Sequence, residues 1–120
     1  MDKQIYDRDS AMETTTLSQE IRQLHADICS ALADPTRILI LYSLAESPSS
    51  VNELVTHLET SQPTISRHLK ILRERGLVSA NRQGQMVTYS LTDVRIIDAL
   101  DTLRAVLRDS LARRANLVNS

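Results

Sequence analysis

The residues between Ser61 and Gly76 combine a narrow apolar stripe with a broad hydrogen-bonding face. Ile65, Leu69 and Leu72 recur at spacings of four and three, which is one face of an α-helix. Gln62, Thr64, Ser66, Arg67, Lys70 and Arg73 fall on or beside the other face, and Ser61 stands at its start. Such side chains suit the edges and backbone of a duplex. Gln can grip adenine through two hydrogen bonds, Arg can grip guanine the same way, and Ser or Thr hydroxyls serve base or phosphate. Arg82, Gln83 and Gln85 cluster around Gly84 a few positions later. There they suit phosphate or the minor groove, with glycine allowing a tight turn.

A second, weaker constellation is His25 and Cys29. At i and i+4 on a helix both can face one ion, and two such pairs could meet across a dimer. This leaves open a metal or redox sensor alongside the plainer reading, a packed thiol and a surface imidazole. Cys29 is the only cysteine, so no intrachain disulfide and no Cys-rich structural zinc site is available. His57 has no obvious partner, and His68 falls inside the polar-faced helix, where packing or a phosphate contact is expected. Enzymatic chemistry lacks its components. No nucleophile–base–orienter set, phosphate-cradling glycine loop or acidic metal cluster has credible spacing. No cofactor is expected.

The elements that must position these residues are mostly helical. Thr16, with Gln19 three residues on, is the expected cap of a first helix whose stripe is Leu17, Ile21, Leu24, Ile28 and Leu32. Asp34-Pro35 restarts the chain as cap and first helical residue. Ile38, Leu39, Leu41, Tyr42 and Leu44 make the second helix apolar over most of its surface, as suits a central position. Ser47 to Ser50 reads as a turn, and Ser50-Val51-Asn52-Glu53 is a capping box opening a short helix through Leu58. Glu59-Thr60-Ser61 breaks it, and the polar-faced helix follows, ending at Gly76. The apolar period then drops to two. Val78 and Ala80, then Val87, Tyr89 and Leu91, alternate with polar residues on either side of Gln83-Gly84-Gln85, which predicts a hairpin. Thr92 is the expected cap of a long last helix striped by Ile96, Leu100, Leu103, Leu107 and Leu111. A short helix, a tight turn, a polar-faced helix and a hairpin form a winged helix-turn-helix. The fold class is therefore mainly α with a small β-hairpin. Residues 1–15 read as a flexible polar arm and residues 16–117 as one domain.

Composition fits this arrangement. The 120 residues contain no Phe or Trp, so the core must be built from Leu, Ile, Val, Ala and Met. The net charge of −1 argues against a polyanion partner, but its distribution is uneven. Residues 61–91 hold five Lys/Arg and one acid, whereas residues 1–60 hold four Lys/Arg and ten acids. Local potential steers a polyanion, and the positive segment is the one carrying the polar-faced helix and the hairpin. The longest apolar run, Ile38 to Tyr42, is too short to span a bilayer, and the N-terminus lacks a signal-peptide stretch. A cytoplasmic protein without membrane contact is expected. The first and last helices carry more apolar surface than a domain this small can absorb. A symmetric dimer seam made of Leu17, Ile21, Leu24, Ile28, Ile96, Leu100, Leu103, Leu107 and Leu111 would cover it.

Three segments resemble the ArsR/SmtB family of bacterial repressors. They are Ala31-Leu32-Ala33-Asp34-Pro35-Thr36-Arg37, the run from Ser61-Gln62-Pro63-Thr64-Ile65-Ser66-Arg67-His68 through Gly76-Leu77-Val78, and the hairpin Asn81 to Leu91. The similarity covers about residues 20–110. It implies a homodimer built from the first and last helices, bound to double-stranded DNA at an imperfect palindrome and released by an inducer, often a metal ion. Two departures bear on the inducer. Where many members carry Cys-Val-Cys-Asp-Leu, this chain has Ser50-Val51-Asn52-Glu53-Leu54, without thiols for soft ions. Where others bind zinc through Asp-x-His and a second pair on the last helix, this chain has Asp93-Val94-Arg95, with Val106 and Asp109 in place of the second pair. The expected function is a dimeric DNA-binding repressor with no metal site and an inducer the sequence does not identify. A winged helix used for protein contacts is the alternative.

Overall fold

The computed structural model describes residues 16–119, so the expected arm, residues 1–15, lies outside the described residues. Five helices and one hairpin follow in chain order. Helix α1 covers residues 16–31 and contains a π-helical turn, His25–Cys29. Then come α2 (Pro35–Glu46), α3 (Val51–Leu58), α4 (Gln62–Glu74), β1 (Val78–Gln83), β2 (Met86–Leu91) and α5 (Arg95–Asn119).

Local chemistry sets most of the boundaries. Asp34 caps α2 by accepting from the Thr36 N–H at 2.8 Å, with Pro35 in the first turn. Ser50 and Glu53 close a reciprocal capping box on α3, each side chain bonded to the other's backbone N–H at 3.2 and 3.0 Å. Glu59 then adopts a left-handed conformation, φ 52°, which turns the chain sharply into α4. At the other end of α4, Gly76 at φ 77° allows two closing bonds: its own N–H to the Arg73 carbonyl and the Leu77 N–H to the Leu72 carbonyl. Two cap expectations change. Thr16 is itself helical, and Thr92 does not cap α5 but donates its N–H to the Leu77 carbonyl. Asp93 takes that role, accepting the Arg95 N–H at 2.9 Å.

The core is aliphatic. Ile40, Leu41 and Leu44 of α2 meet Leu54, Ile65, Leu69 and Leu72, with Ala31, Leu77, Val78, Ile97 and Leu100 closing the sides. Each Leu, Ile or Val among them contributes about 1.5–3 kcal/mol by leaving water. The hairpin pairs Val78 with Leu91 through Gln83 with Met86, and Gly84 at φ 64° leads its two-residue turn. Sequence pattern alone read Ser47 to Ser50 as a turn. In the fold Ser49 also forms a β-bridge with Tyr89, through bonds of 3.0 and 2.8 Å that fasten the hairpin beside the start of α3.

The stripe expected to run the length of α1 is split. Leu17, Ile21 and Leu24 are exposed, whereas Ile28 and Leu32 pack against the core. The π-turn, which begins after Leu24 and contains Ile28, fits one more residue into a turn. That shifts the azimuth of whatever follows by roughly 100°.

Candidate nucleic-acid interface

Burial on α4 separates two faces. Ile65, Leu69 and Leu72 are fully buried, as their spacing requires, while Gln62, Arg67, Lys70 and Arg73 are exposed. Thr64 and Ser66 sit half-buried at the margin. The polar side chains at the start of α4 are held by one another. Ser61 Oγ donates to Thr64 Oγ1 at 2.8 Å, and Gln62 Nε2 donates to Ser66 Oγ at 3.1 Å. Ser61 Oγ bonds to Thr64's side chain and accepts no backbone N–H, so α4 has no side-chain cap, unlike α2 and α3.

The hairpin places Arg82, Gln83 and Gln85 at its exposed tip. Gln85, Met86 and Val87 form one wall of a groove of about 480 Å³ whose other walls are Gln62 and the start of α3, Ser50 to Asn52. The fold thus brings the hairpin tip to the N-terminal end of α4, joining two groups of residues separated by some twenty positions. Nothing in the sequence period marks Ser50 or Asn52 as lining that groove.

His68 is buried at 4% exposure on the inner side of α4, so it packs and does not face the groove. Its Nδ1 lies 3.2 Å from Arg37 Nη1; because Arg can only donate, Nδ1 is the acceptor and Nε2 carries the proton. Burial pushes the imidazole below its usual range, against the opposing pull of Asp34, whose Oδ1 is 3.9 Å away. Partial desolvation raises Asp34, and the Thr36 N–H, with Arg37 and, in the acid range where the carboxyl titrates, the protonated His68, outweighs it and holds the carboxyl below its usual range. Arg37 also donates to the carbonyls of Ala31, at 2.6 Å, and Ser30, at 3.3 Å. Arg75, just past α4, was not marked by the sequence. It donates to the Ala26 carbonyl and, at 3.0 Å, to Ser30 Oγ. Its partners lie more than forty positions away, beyond the reach of periodicity.

The residues expected at a dimer seam divide. Leu103 is 61% exposed and Leu17 54%, and Leu107, Leu111, Ile21 and Leu24 are exposed with them. Leu100 corrects the expectation: at 5% exposure it belongs to the core of its own chain, and Ile28 and Ile96 pack half-buried beside that core. The period along α5 is continuous, but its first turns lie against α2 and its later turns pass beyond the core. Leu39, Val106, Leu117 and Val118 are further exposed apolar side chains.

His25 and Cys29 both lie exposed on the π-turn. Asp93 is engaged by Arg95, whose guanidinium approaches to 2.6 Å and, with its backbone N–H, holds the carboxyl down to about 2. Among the described residues no three His, Cys, Asp or Glu side chains are grouped to hold a metal ion. No described helix is long and apolar enough to cross a membrane.

Residues 34–80 match the family described as bacterial regulatory protein, arsR family. The chain is 44% identical over 75 residues to the HTH-type transcriptional repressor SmtB of Mycobacterium tuberculosis, covering 62% of this chain and 56% of that repressor, so only about half of the relative is spanned. The crystal structure of M. tuberculosis Rv0081 superposes with a TM-score of 0.71 at 34% identity, covering 79% of this chain and 96% of that one. The homodimeric winged helix-turn-helix DNA-binding domain of Mb0332 from Mycobacterium bovis, described as a possible ArsR-family transcriptional regulator, superposes at 0.67 with 26% identity, covering 89% and 91%.

Proposed function

Because the chain belongs to the arsR family of bacterial regulatory proteins, we propose that it is a dimeric, sequence-specific DNA-binding repressor acting in the cytoplasm. The observation that carries this is the sided burial of α4. Its aliphatic stripe is sealed in the core, while Gln62, Arg67, Lys70 and Arg73 face outward. Gln62, Thr64, Ser66 and Arg67 occupy the N-terminal half of α4, the part that reaches base edges when such a helix enters the major groove. The absent side-chain cap leaves the backbone N–H groups of the first turn available to a phosphate. Arg82 and the hairpin tip take backbone or minor groove.

The exposed apolar faces of α1 and α5 support a homodimer. A two-fold dimer in turn calls for an imperfect palindrome, with half-sites about one helical turn, roughly 34 Å, apart. Ser50, Asn52, Arg95 and Val106 stand where the family's metal ligands would, so the inducer we propose is not a metal ion held at those positions.

The test is enrichment of a random duplex library on the purified full chain, followed by a salt titration of the enriched duplex. Log affinity should fall linearly with log salt, with a slope of about −4 or steeper for five or more neutralised phosphates. If no duplex is enriched, the winged helix serves protein contacts instead.

A further inference from the structure

Two arginines meet on one residue of α1, and each is tied to a different point of α4. Arg37 donates to the Ser30 and Ala31 carbonyls and also to His68, in the middle of α4. Arg75, at the C-terminal cap of α4, donates to Ser30 Oγ and to the Ala26 carbonyl within the π-turn, with Asp27 at 3.8 Å. Ser30 Oγ completes the joint by donating to the Ala26 carbonyl at 2.5 Å. We infer that Arg75 is a positioning residue, which locks the end of α4 to α1 and so fixes the half-site spacing the dimer accepts.

The geometry is that of a lever. Aliphatic side chains hold α4 in the core, and the Arg37–His68 contact anchors its middle. Each arginine also ties α4 to α1 at a different point; one tie between the two helices is a pivot, and the second, at the end of α4, fixes the angle between them. The second anchor stands on α1, whose exposed stripe Leu17, Ile21 and Leu24 faces the proposed partner subunit. An α4 rigidly joined to the dimer helix carries a fixed angle and separation to its symmetry mate, whereas a hinged one adapts. The hydrogen bonds to the Ala26 carbonyl and to Ser30 Oγ both come from Nη1, whose two N–H groups lie in the guanidinium plane and so specify direction. The Asp27 pair is half-exposed and adds little energy.

This inference rests on the DNA-reading proposal, and its test is built to fail separately. The half-site enriched on the wild-type full chain is placed twice in a duplex, with spacers lengthened or shortened by one to three base pairs. Wild type should discriminate against a one-base-pair change by about tenfold or more, since that rotates one half-site by roughly 34°. Arg75→Met should remain a dimer with a thermal midpoint close to wild type, yet discriminate by only about threefold. Arg75→Lys, which keeps the charge but lacks the planar N–H pair of Nη1 that spans the Ala26 carbonyl and Ser30 Oγ, should stay as permissive as Arg75→Met. Asp27→Asn combined with Ser30→Ala removes the two side-chain partners and should relax the spacing partway; it decides the matter if Arg75→Met fails to fold. A folded variant that keeps the wild-type spacer profile overturns the inference. So does a uniform loss of affinity at every spacer with a shallower salt slope, which would make Arg75 a phosphate contact. If wild type enriches no duplex, the DNA-reading proposal falls and takes this inference with it.

Discussion

Helices α4 and α5 carry apolar stripes of the same helical spacing, and the fold treats them in opposite ways. On α4, Ile65, Leu69 and Leu72 are all sealed, and the polar face is what the molecule presents. On α5 only the first turns are sealed, by Ile97 and Leu100, and the apolar stripe beyond them is what the molecule presents. The difference lies in the partner each helix finds. Helix α4 packs along its length against α2, α3 and β1. Helix α5 meets α2 near its start and then runs on for more than four turns with no described element of its own chain to cover it. The same apolar spacing thus serves internal cohesion in one case and, as proposed, assembly in the other.

The comparison breaks most sharply at α5. Leu103→Asp or Leu107→Asp puts a charge on the uncovered stripe, where it costs the monomer little because neither side chain is in its core. Each variant should sediment as a folded monomer. Each should bind the enriched duplex about a hundredfold or more weakly, because the second half-site no longer adds its avidity. Dimers that persist at the wild-type concentration range would put the seam elsewhere and leave the α5 stripe unexplained.

Much of this contrast could be read in the sequence, and the parts that could not share a cause. The caps at Asp34, Ser50 and Gly76, the hairpin around Gly84 and the two faces of α4 follow from contacts within a few residues, which spacing and residue type encode directly. The split of α1 did not follow, because a π-turn changes the helical period from within and one regular stripe cannot announce it. Leu100 was indistinguishable from Leu103 by period; only the end of the core, a property of the whole fold, separates them. The same holds for Arg75 and for the Ser49–Tyr89 bridge, whose partners are tens of positions away.

A smaller effect separates the two parts of the proposed DNA face. Gln62 and Arg67 stand where base edges come within reach, and Arg82 stands on the hairpin, where phosphate or minor groove does. Replacing a true base contact, by Gln62→Ala or Arg67→Ala, should cost about 1–3 kcal/mol and relax preference at one position of each half-site. Arg82→Ala should instead weaken every duplex alike and reduce the salt slope by about one unit per hairpin. Salt titrations of the three variants on enriched and scrambled duplexes measure both quantities. An Arg82→Ala variant that changes sequence preference at an unchanged slope would reverse this division of labour.

The smallest expected effect concerns what lies behind α4. His68 is buried and neutral, with Nδ1 accepting from Arg37, and burial sets its pKa below the usual value near 6.5. The unfolded chain therefore takes up this proton at a higher pH than the folded chain does. Stability due to the neutral imidazole is complete above about 6.5 and is lost as pH falls from there toward the folded pKa. Asp34, also held below its usual range, acts in a separate and more acidic window, since its contribution fades only as the carboxylate itself protonates. Denaturant midpoints between pH 7.5 and 5 thus isolate the histidine. His68→Gln offers an oxygen acceptor to Arg37 but cannot titrate, so its stability should vary less across this range than that of wild type, even if it is lower at every pH. Equal pH slopes for the two chains would mean that the folded and unfolded chains protonate His68 alike, and a wild type that gains stability as pH falls would mean that His68 is charged in the fold. The Arg37 contact would then be repulsive, and the middle anchor of α4 would have to be sought in the aliphatic packing alone.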